Sequence, residues 1–259
     1  MFTRNEFVRF CSDLSRRTQR QSEDYYEYHL KRLWAIYQVC ARVLPNQGGT
    51  LVSVGAGSAY VEAALVASHS ALGAVIDLPE VVAISRGYYD SCSLVPFGLD
   101  LSSGNPIALT EIPLADLVIS SEIVEHLPSP PSRHFVTLRP LLRQSGTLLV
   151  ATPNAGSLRS ALKTLLHQPI LPSAEQTFGP VNLENEGVHR REYMPIEIEA
   201  ALTANGFELT SKHYVSPGSR DVRYLPFSAA EALVPYFRQG VIITAAIDPD
   251  DGVHTGRKQ

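Results

Sequence analysis

Two glycines that follow a short apolar run are the first residues whose types and spacing could do chemistry. Residues 51–60 read LVSVGAGSAY, which predicts a strand, a turn at Gly55 and Gly57, and then a helix. Glycines let a backbone approach a ligand closely, and a helix N-terminus offers free N–H groups. A dinucleotide fingerprint would need glycine where Tyr60 stands, and the Gly-Lys-Ser/Thr of a phosphate loop is absent. The turn therefore predicts a ligand site of another kind, with a purely structural turn as the alternative.

Two aspartates stand where the next apolar runs end. Asp77 closes the run GAVID, 22 residues after Gly55, and Asp100 closes PFGLD. An acid at the end of a second strand can accept both hydroxyls of a ribose. The alternatives are a helix cap for Asp77, which stands just before Pro79, and a plain turn residue for Asp100.

A cluster of carboxylates and imidazoles follows the fourth apolar run. The segment 116–128 reads DLVISSEIVEHLP and carries Glu122, Glu125 and His126. A histidine at this point can act as a general base near neutral pH, or it can be a packed or capping residue. Glu122 can orient a ligand, or it can simply stabilise the start of a helix through the helix dipole.

A second polar segment, residues 187–193, reads GVHRREY. His189 adds another imidazole, and Arg190 or Arg191 can pair with an anionic group of a substrate. Aromatic residues in the N-terminal region, among them Tyr25 and His29, offer further ligand contacts or ordinary helix packing.

The elements that must position these residues alternate along the chain. Apolar runs with strand character alternate with helix-length segments, and this pattern is typical of a parallel sheet covered on both faces. The predicted strands are 51–54, 73–77, 94–100, 116–120 and 147–151, and the predicted helices between them are 59–68, 79–88 and 132–143. Right-handed crossovers bring the carboxyl ends of such strands to one edge, where ligands bind.

The remaining segments suggest a cap, a lid and an antiparallel finish. Residues 1–47 show helical spacing of apolar residues and predict an N-terminal helical cap. Residues 48–247 form the predicted main domain, with a lid insertion at 155–188 that includes a helix at 158–166. A helix at 195–204 and two strands near 207–214 and 241–246 complete it, and residues 248–259 form a frayed tail.

The composition excludes several classes of protein. With 259 residues, 44% hydrophobic and 19% charged, the chain is neither disordered nor fibrous as a whole. Its formal net charge of −4 disfavours a general nucleic-acid binder. Three scattered cysteines predict reduced thiols, and charges break any apolar run at the N-terminus. We therefore expect a cytoplasmic protein with no membrane partner; its oligomeric state stays open.

Taken together, the motifs resemble those of the class I S-adenosylmethionine-dependent methyltransferases. The glycine turn is similar to their motif hydrophobic-x-Asp/Glu-x-Gly-x-Gly-x-Gly, except that Ser53 replaces the acid and Ala59 the third glycine. The segment EIVEHL resembles the E-x-x-E-H motif of the ubiquinone-biosynthesis and natural-product subfamily. The segments ATPN at 151–154 and HRREY at 189–193, with a following Gly-Phe, are also similar to that subfamily. The resemblance covers roughly residues 25–215.

The resemblance implies a Rossmann-like α/β fold with a seven-stranded, mostly parallel sheet. It implies methyl transfer from S-adenosyl-L-methionine to an oxygen, or less readily a nitrogen, of a small biosynthetic acceptor, with S-adenosyl-L-homocysteine as product. The catalytic residues that we predict are His126, Glu122 and His189. The predicted cofactor-binding residues are Ser53, Gly55, Ala56, Gly57, Asp77, Leu78, Asp100, Leu101, Ser120 and Ser121. The predicted substrate-binding residues are Arg190, Tyr193, Tyr25 and His29.

Other functions stay open at this point. The altered glycine motif would also fit a protein that binds S-adenosylmethionine without turnover, and a nicotinamide oxidoreductase is disfavoured by Tyr60. Glu122, Glu125, His126 and His189 match the metal ligands of the small-RNA 2′-O-methyltransferases, which makes metal-assisted RNA methylation a further alternative. The prediction is a site without metal, because related enzymes with this motif use none, and the acidic balance argues against RNA.

Overall fold

The computed structural model describes residues 1–18, 23–101, 106–173, 175, 177, 188–216 and 225–249. Seven strands form one sheet in the spatial order β3-β2-β1-β4-β5-β7-β6. The strands are β1 (Thr50–Val54), β2 (Leu72–Asp77), β3 (Leu94–Gly98), β4 (Ala115–Ser121), β5 (Leu142–Pro153), β6 (Phe207–Val215) and β7 (Gly240–Ile247). The prediction of a seven-stranded, mostly parallel sheet is confirmed.

The pairing of the strands confirms the prediction that the last two strands are antiparallel. Strands β1 to β5 pair in parallel, whereas β7 lies antiparallel to both β5 and β6. All five residues of β1 are buried, as expected for a central strand with both faces covered. In register, Val54 lies between Ile76 of β2 and Ser120 of β4. The ends of β1, β2 and β4 therefore lie side by side at one edge of the sheet.

Eight α-helices surround the sheet in the described part of the chain. They are α1 (Arg4–Thr18), α2 (Glu23–Val43), α3 (Tyr60–His69), α4 (Pro79–Ser91), α5 (Pro131–Leu138), α6 (Leu158–Leu165), α7 (Pro195–Thr203) and α8 (Leu225–Leu233). The predicted helix 132–143 ends early, because Pro140 cannot continue the α-helical hydrogen bonds and residues 139–141 form a 3₁₀ turn. None of the described helices combines the length and the apolarity that a bilayer span needs.

The N-terminal helices share a core with the sheet. Phe7 of α1 contacts Trp34 and Tyr37 of α2, with ring centroids 5.4 and 4.9 Å apart. The same buried cluster includes Leu51 of β1 and Leu117 of β4. Because burial of such side chains is the main favourable contribution to folding, α2 is held firmly against the sheet. It can therefore present side chains to the ligand edge.

The predicted lid is described in part. Helix α6 forms at its start, where Ser157 caps the helix by accepting a hydrogen bond from the Ser160 backbone. Residues 174, 176 and 178–187 of the lid lie outside the described part, as do residues 250–259 of the predicted tail.

Candidate active site

The glycine turn joins β1 to α3 with three residues of positive φ. Gly55, Gly57 and Ala59 have φ of +62°, +53° and +47°. An added Cβ at Gly55 would overlap the Cδ1 of Ile123, whereas one at Gly57 would meet no atom within 4 Å. The turn therefore packs against the segment that follows β4 and leaves open space above Gly57. Ala59, which stands where the resembled motif has its third glycine, adopts the left-handed conformation nonetheless.

A buried carboxyl group lies behind the turn. The Ser53 hydroxyl donates to Oε1 of Glu62 at 2.7 Å, and both residues are buried. Burial raises the pKa of Glu62, which the hydrogen bond from Ser53 opposes. The comparison of motifs identifies Ser53 as the residue that replaces the usual acid, and it does not single out Glu62. The signal in the sequence was an acidic residue nine positions after Ser53, in the predicted helix 59–68.

Asp77 lies at the end of β2, as predicted. Its Oδ1 accepts from the Leu78 backbone at 2.9 Å, and its Oδ2 accepts from the Tyr89 hydroxyl at 3.2 Å. A carboxylate has about four lone-pair sites, so both oxygens can accept further bonds. The two contacts fix the orientation of the carboxylate at the edge beside Gly55, whose N–H donates to the Ile76 carbonyl at 2.8 Å.

The other predicted cofactor contacts lie along the same edge. Asp100 and Leu101 follow β3, and Leu101 packs against the main core. Ser120 and Ser121 end β4; the Ser120 hydroxyl lies 2.9 Å from Nε2 of buried His134 in α5. Cofactor contact by these four residues stays a prediction, and for Ser120 it would have to come from the backbone.

Glu122 leaves β4 with a strained backbone and an ion pair. Its φ is +58°, which is uncommon for a residue with a side chain. Its carboxylate is bound by the guanidinium of Arg32 from α2. Burial raises the pKa of Glu122, and the Arg32 charge opposes this shift. Residue type and spacing do not single out Arg32, because its partner lies 90 residues away.

Three titratable side chains converge beyond Glu122. The rings of His126 and His189 meet edge to face with centroids 4.9 Å apart. Oε1 of Glu125 lies 3.9 Å from Nε2 of His126, and one ligand atom from each of the three residues lies within 4.8 Å of the others. Glu125 is fully buried, and its Oε2 accepts from the Thr152 hydroxyl at 3.0 Å.

Their surroundings shift the pKa values of His126 and His189 in opposite directions. His126 donates from Nδ1 to the Val188 carbonyl at 3.0 Å, which leaves Nε2 as the acceptor in the neutral ring. Burial lowers the pKa of His126, whereas the hydrogen bond to Glu192 raises the pKa of His189. Burial also raises the pKa of Glu125 to about 8. Neighbouring groups with pKa values pushed apart are typical of acid–base sites.

A cavity of about 560 Å³ opens onto these residues. Its inner wall is formed by Glu122, His126 and His189, and α2 contributes Tyr28, His29 and Arg32. Helix α6 forms the outer wall. A volume of this size suits a small organic ligand. A second cavity of about 490 Å³ also lies beside α2, and none of the predicted site residues lines it.

Comparison with solved structures supports a common fold. A chain of the complex between the Haloferax volcanii Trm112 methyltransferase activator and a candidate methyltransferase is 16% identical, with a TM-score of 0.58. The match covers 94% of this chain and 98% of that one. The chain has a Rossmann-like methyltransferase fold.

Two further methyltransferases share this fold. A SAM-dependent methyltransferase from Archaeoglobus fulgidus is 14% identical, with a TM-score of 0.52, and the match covers 87% of this chain and all of that one. An O-methyltransferase family 2 protein from Planctomyces limnophilus, solved with apigenin, is 17% identical, with a TM-score of 0.52. That match covers 84% of this chain and 59% of the other. The chain matches no protein-family model and no curated protein.

Within this methyltransferase fold, the predicted substrate-binding residues separate into two groups. His29 lines the cavity, whereas Arg190 and Tyr193 are buried outside its lining. The Arg190 side chain donates to the Thr177 carbonyl, and Tyr193 packs in the core beneath Arg191. The motif alone does not predict these contacts, because they depend on neighbours in the folded chain. Tyr25 belongs to α2, but its side chain lies outside the described part of the structure.

The residues around Glu125 would also fit a divalent cation. Its Oε1 is buried and has no hydrogen-bond partner among the described residues. Both histidines are oriented through Nδ1, His126 by a carbonyl and His189 by the Glu192 carboxylate, as metal-binding imidazoles usually are. Glu122, the fourth residue of the resembled metal set, engages Arg32 instead.

Proposed function

We propose that this chain is an S-adenosylmethionine-dependent methyltransferase that acts on an oxygen, or less readily a nitrogen, of a small-molecule acceptor. The observation that carries the proposal is the contact between two halves of one site. Ile123 packs on Gly55 of the glycine turn, and three residues later His126 lines the cavity. Gly57 and Asp77 would hold the cofactor, which would supply the methyl group next to the segment that leads from Ile123 to His126.

The reaction needs positioning and one proton transfer. Bound S-adenosylmethionine would supply the methyl group to the acceptor oxygen, and its sulfur would keep the electron pair of the broken bond. The acceptor proton passes to Nε2 of His126, which is the free ring nitrogen because Nδ1 is committed to the Val188 carbonyl. His189, held by Glu192, would favour the developing negative charge on the acceptor oxygen.

Calorimetric titration with S-adenosylhomocysteine and with NAD tests the cofactor. We expect micromolar binding of S-adenosylhomocysteine and none of NAD; the reverse result would make the chain an oxidoreductase. Mass spectrometry of a panel of hydroxylated acceptors, incubated with isotopically labelled S-adenosylmethionine, then tests turnover. Binding of the cofactor with no product across the panel would favour the alternative of a non-catalytic binding protein.

A second candidate is the same transfer with a divalent cation at Glu125, His126 and His189. It is favoured by the buried Oε1 of Glu125, which has no hydrogen-bond partner in the described part of the chain, and by the convergence of the three side chains. A bound cation would lower the pKa of an acceptor hydroxyl next to it. Isothermal titration of chelator-treated protein with Mg²⁺, Mn²⁺ and Zn²⁺ tests this candidate. Absence of binding, together with a rate that EDTA leaves unchanged, would eliminate it and with it metal-assisted RNA methylation.

A further inference from the structure

The two carboxylates among the described residues that line the cavity both contact basic side chains. Glu122 binds Arg32, and Glu192 lies 3.2 Å from Nδ1 of His189. Both pairs lie on the inner side of the cavity, around the proposed site of methyl transfer. This half of the cavity therefore needs no charged partner from a substrate.

The outer wall of the cavity, formed by α6, has an unmatched positive charge. Arg159 and Lys163 are four residues apart, so they lie on the same side of the helix, and both line the cavity. Neither has a carboxylate partner in the described part of the chain; Arg159 makes a 3.4 Å contact to the side-chain oxygen of Gln239. The buried residues Ser157 and Ser160 line the cavity beside them.

The arginines that the sequence favoured for an anionic group are engaged elsewhere. Arg190 donates to the Thr177 carbonyl, and Arg191 forms an ion pair with Glu197 in α7. Arg159 and Lys163 are thus the described cationic side chains of the cavity wall that have no carboxylate partner.

We propose that the acceptor is an acid, whose carboxylate or phosphate group is held by Arg159 and Lys163 while its hydroxyl reaches His126. This inference rests on the proposed function, because it takes the cavity to be the acceptor site. Guanidinium and ammonium groups form charge-assisted hydrogen bonds to such anions. The cations Arg159 and Lys163 and the imidazoles of His126 and His189 line the same cavity, which suits a ligand with an acid and a hydroxyl at different positions.

Matched probes test the charge preference directly. The probes are 4-hydroxycinnamate, 4-hydroxyphenyl phosphate and the neutral methyl ester of 4-hydroxycinnamate, with binding measured by NMR in the presence of S-adenosylhomocysteine. We expect at least one of the two anions to bind about tenfold more tightly than the ester. Which anion binds more tightly identifies the preferred acid group.

Three variants show whether α6 is responsible. Arg159→Gln and Lys163→Gln keep good helix formers at both positions. In each variant, the ratio of the affinity for the anion to the affinity for the ester should fall toward one. Arg133→Gln removes the same charge from exposed Arg133 of α5, outside the cavity, and should keep the preference. Equal binding of ester and anions, no binding of any probe, or a preference that survives both α6 variants would overturn the inference. Binding of S-adenosylhomocysteine, measured alone, decides the proposed function separately.

Discussion

Arg32 of α2 and Glu122, just after β4, form a half-buried ion pair. The side chains are 15% and 24% exposed, so each partner loses most of its hydration. The pair holds α2 over the cavity and restrains a residue with φ of +58°. Because the two residues lie 90 positions apart on different elements, the pair depends on the packing of α2 against the sheet.

Removing one partner of this pair should cost more than removing both charges. We expect Arg32→Met to lower the free energy of unfolding by roughly 1–3 kcal/mol, because it leaves Glu122 without its cation. The double variant Arg32→Met/Glu122→Gln should recover part of that loss. Urea denaturation of the two single variants and the double variant gives the coupling energy. Additive losses would show that the pair contributes nothing.

Asp77→Asn should weaken the binding of S-adenosylhomocysteine by about 10- to 100-fold. The amide removes the charge from bonds to the ribose hydroxyls but keeps the size of the side chain, and charge-assisted bonds contribute roughly 1.5–3 kcal/mol. Calorimetry measures the affinity, and Asp90→Asn on the exposed face of α4 is the matched control. If the two variants bind equally well, Asp77 does not bind the ribose.

His126→Gln should reduce the rate of methyl transfer by about 10²- to 10⁴-fold and leave cofactor affinity unchanged. Glutamine can still donate to the Val188 carbonyl, but it cannot accept the acceptor proton. Single-turnover kinetics at saturating S-adenosylmethionine measure the effect. His167→Asn, at an exposed position whose φ of +54° asparagine tolerates, should retain the full rate. A small effect at His126 would mean that positioning alone drives the transfer.

Buried His134 should make the fold sensitive to acid. Burial lowers the pKa of His134 to about 4, whereas a histidine in the unfolded chain titrates near 6.5. Between these values the unfolded chain binds more protons, so stability falls as the pH falls below about 6.5. Between pH 7 and pH 5 this linkage amounts to about 2 kcal/mol.

The variant His134→Gln isolates this contribution. Glutamine does not titrate, so the pH dependence of its unfolding free energy should be shallower than that of the wild type by about the same 2 kcal/mol. Urea denaturation at pH 7 and pH 5 measures both proteins. His213→Gln, at an exposed position of β6, should keep the wild-type slope. Identical slopes for wild type and His134→Gln would contradict the assignment.

Local sequence determined the architecture. Apolar runs such as 51–54 and 73–77 that alternate with helices are typical of strands in a parallel sheet covered on both faces, and the turn at Gly55 and Gly57 requires conformations that glycine adopts without strain. The placement of Asp77 at the end of a strand follows from the same alternation. These features depend on neighbours in the chain, so the sequence was sufficient to predict them.

Tertiary packing decided which side chains face the site. Glu62 fills the space behind Ser53, Arg32 reaches Glu122 from the cap, and Arg190 turns from the cavity to bind Thr177. Each of these contacts joins elements whose separation in space is set by the packing of whole helices on the sheet. Residue type and spacing carry no information about such distances. The charge of the cavity wall, where Arg159 and Lys163 have no carboxylate partner among the described residues, therefore emerged only from the folded chain.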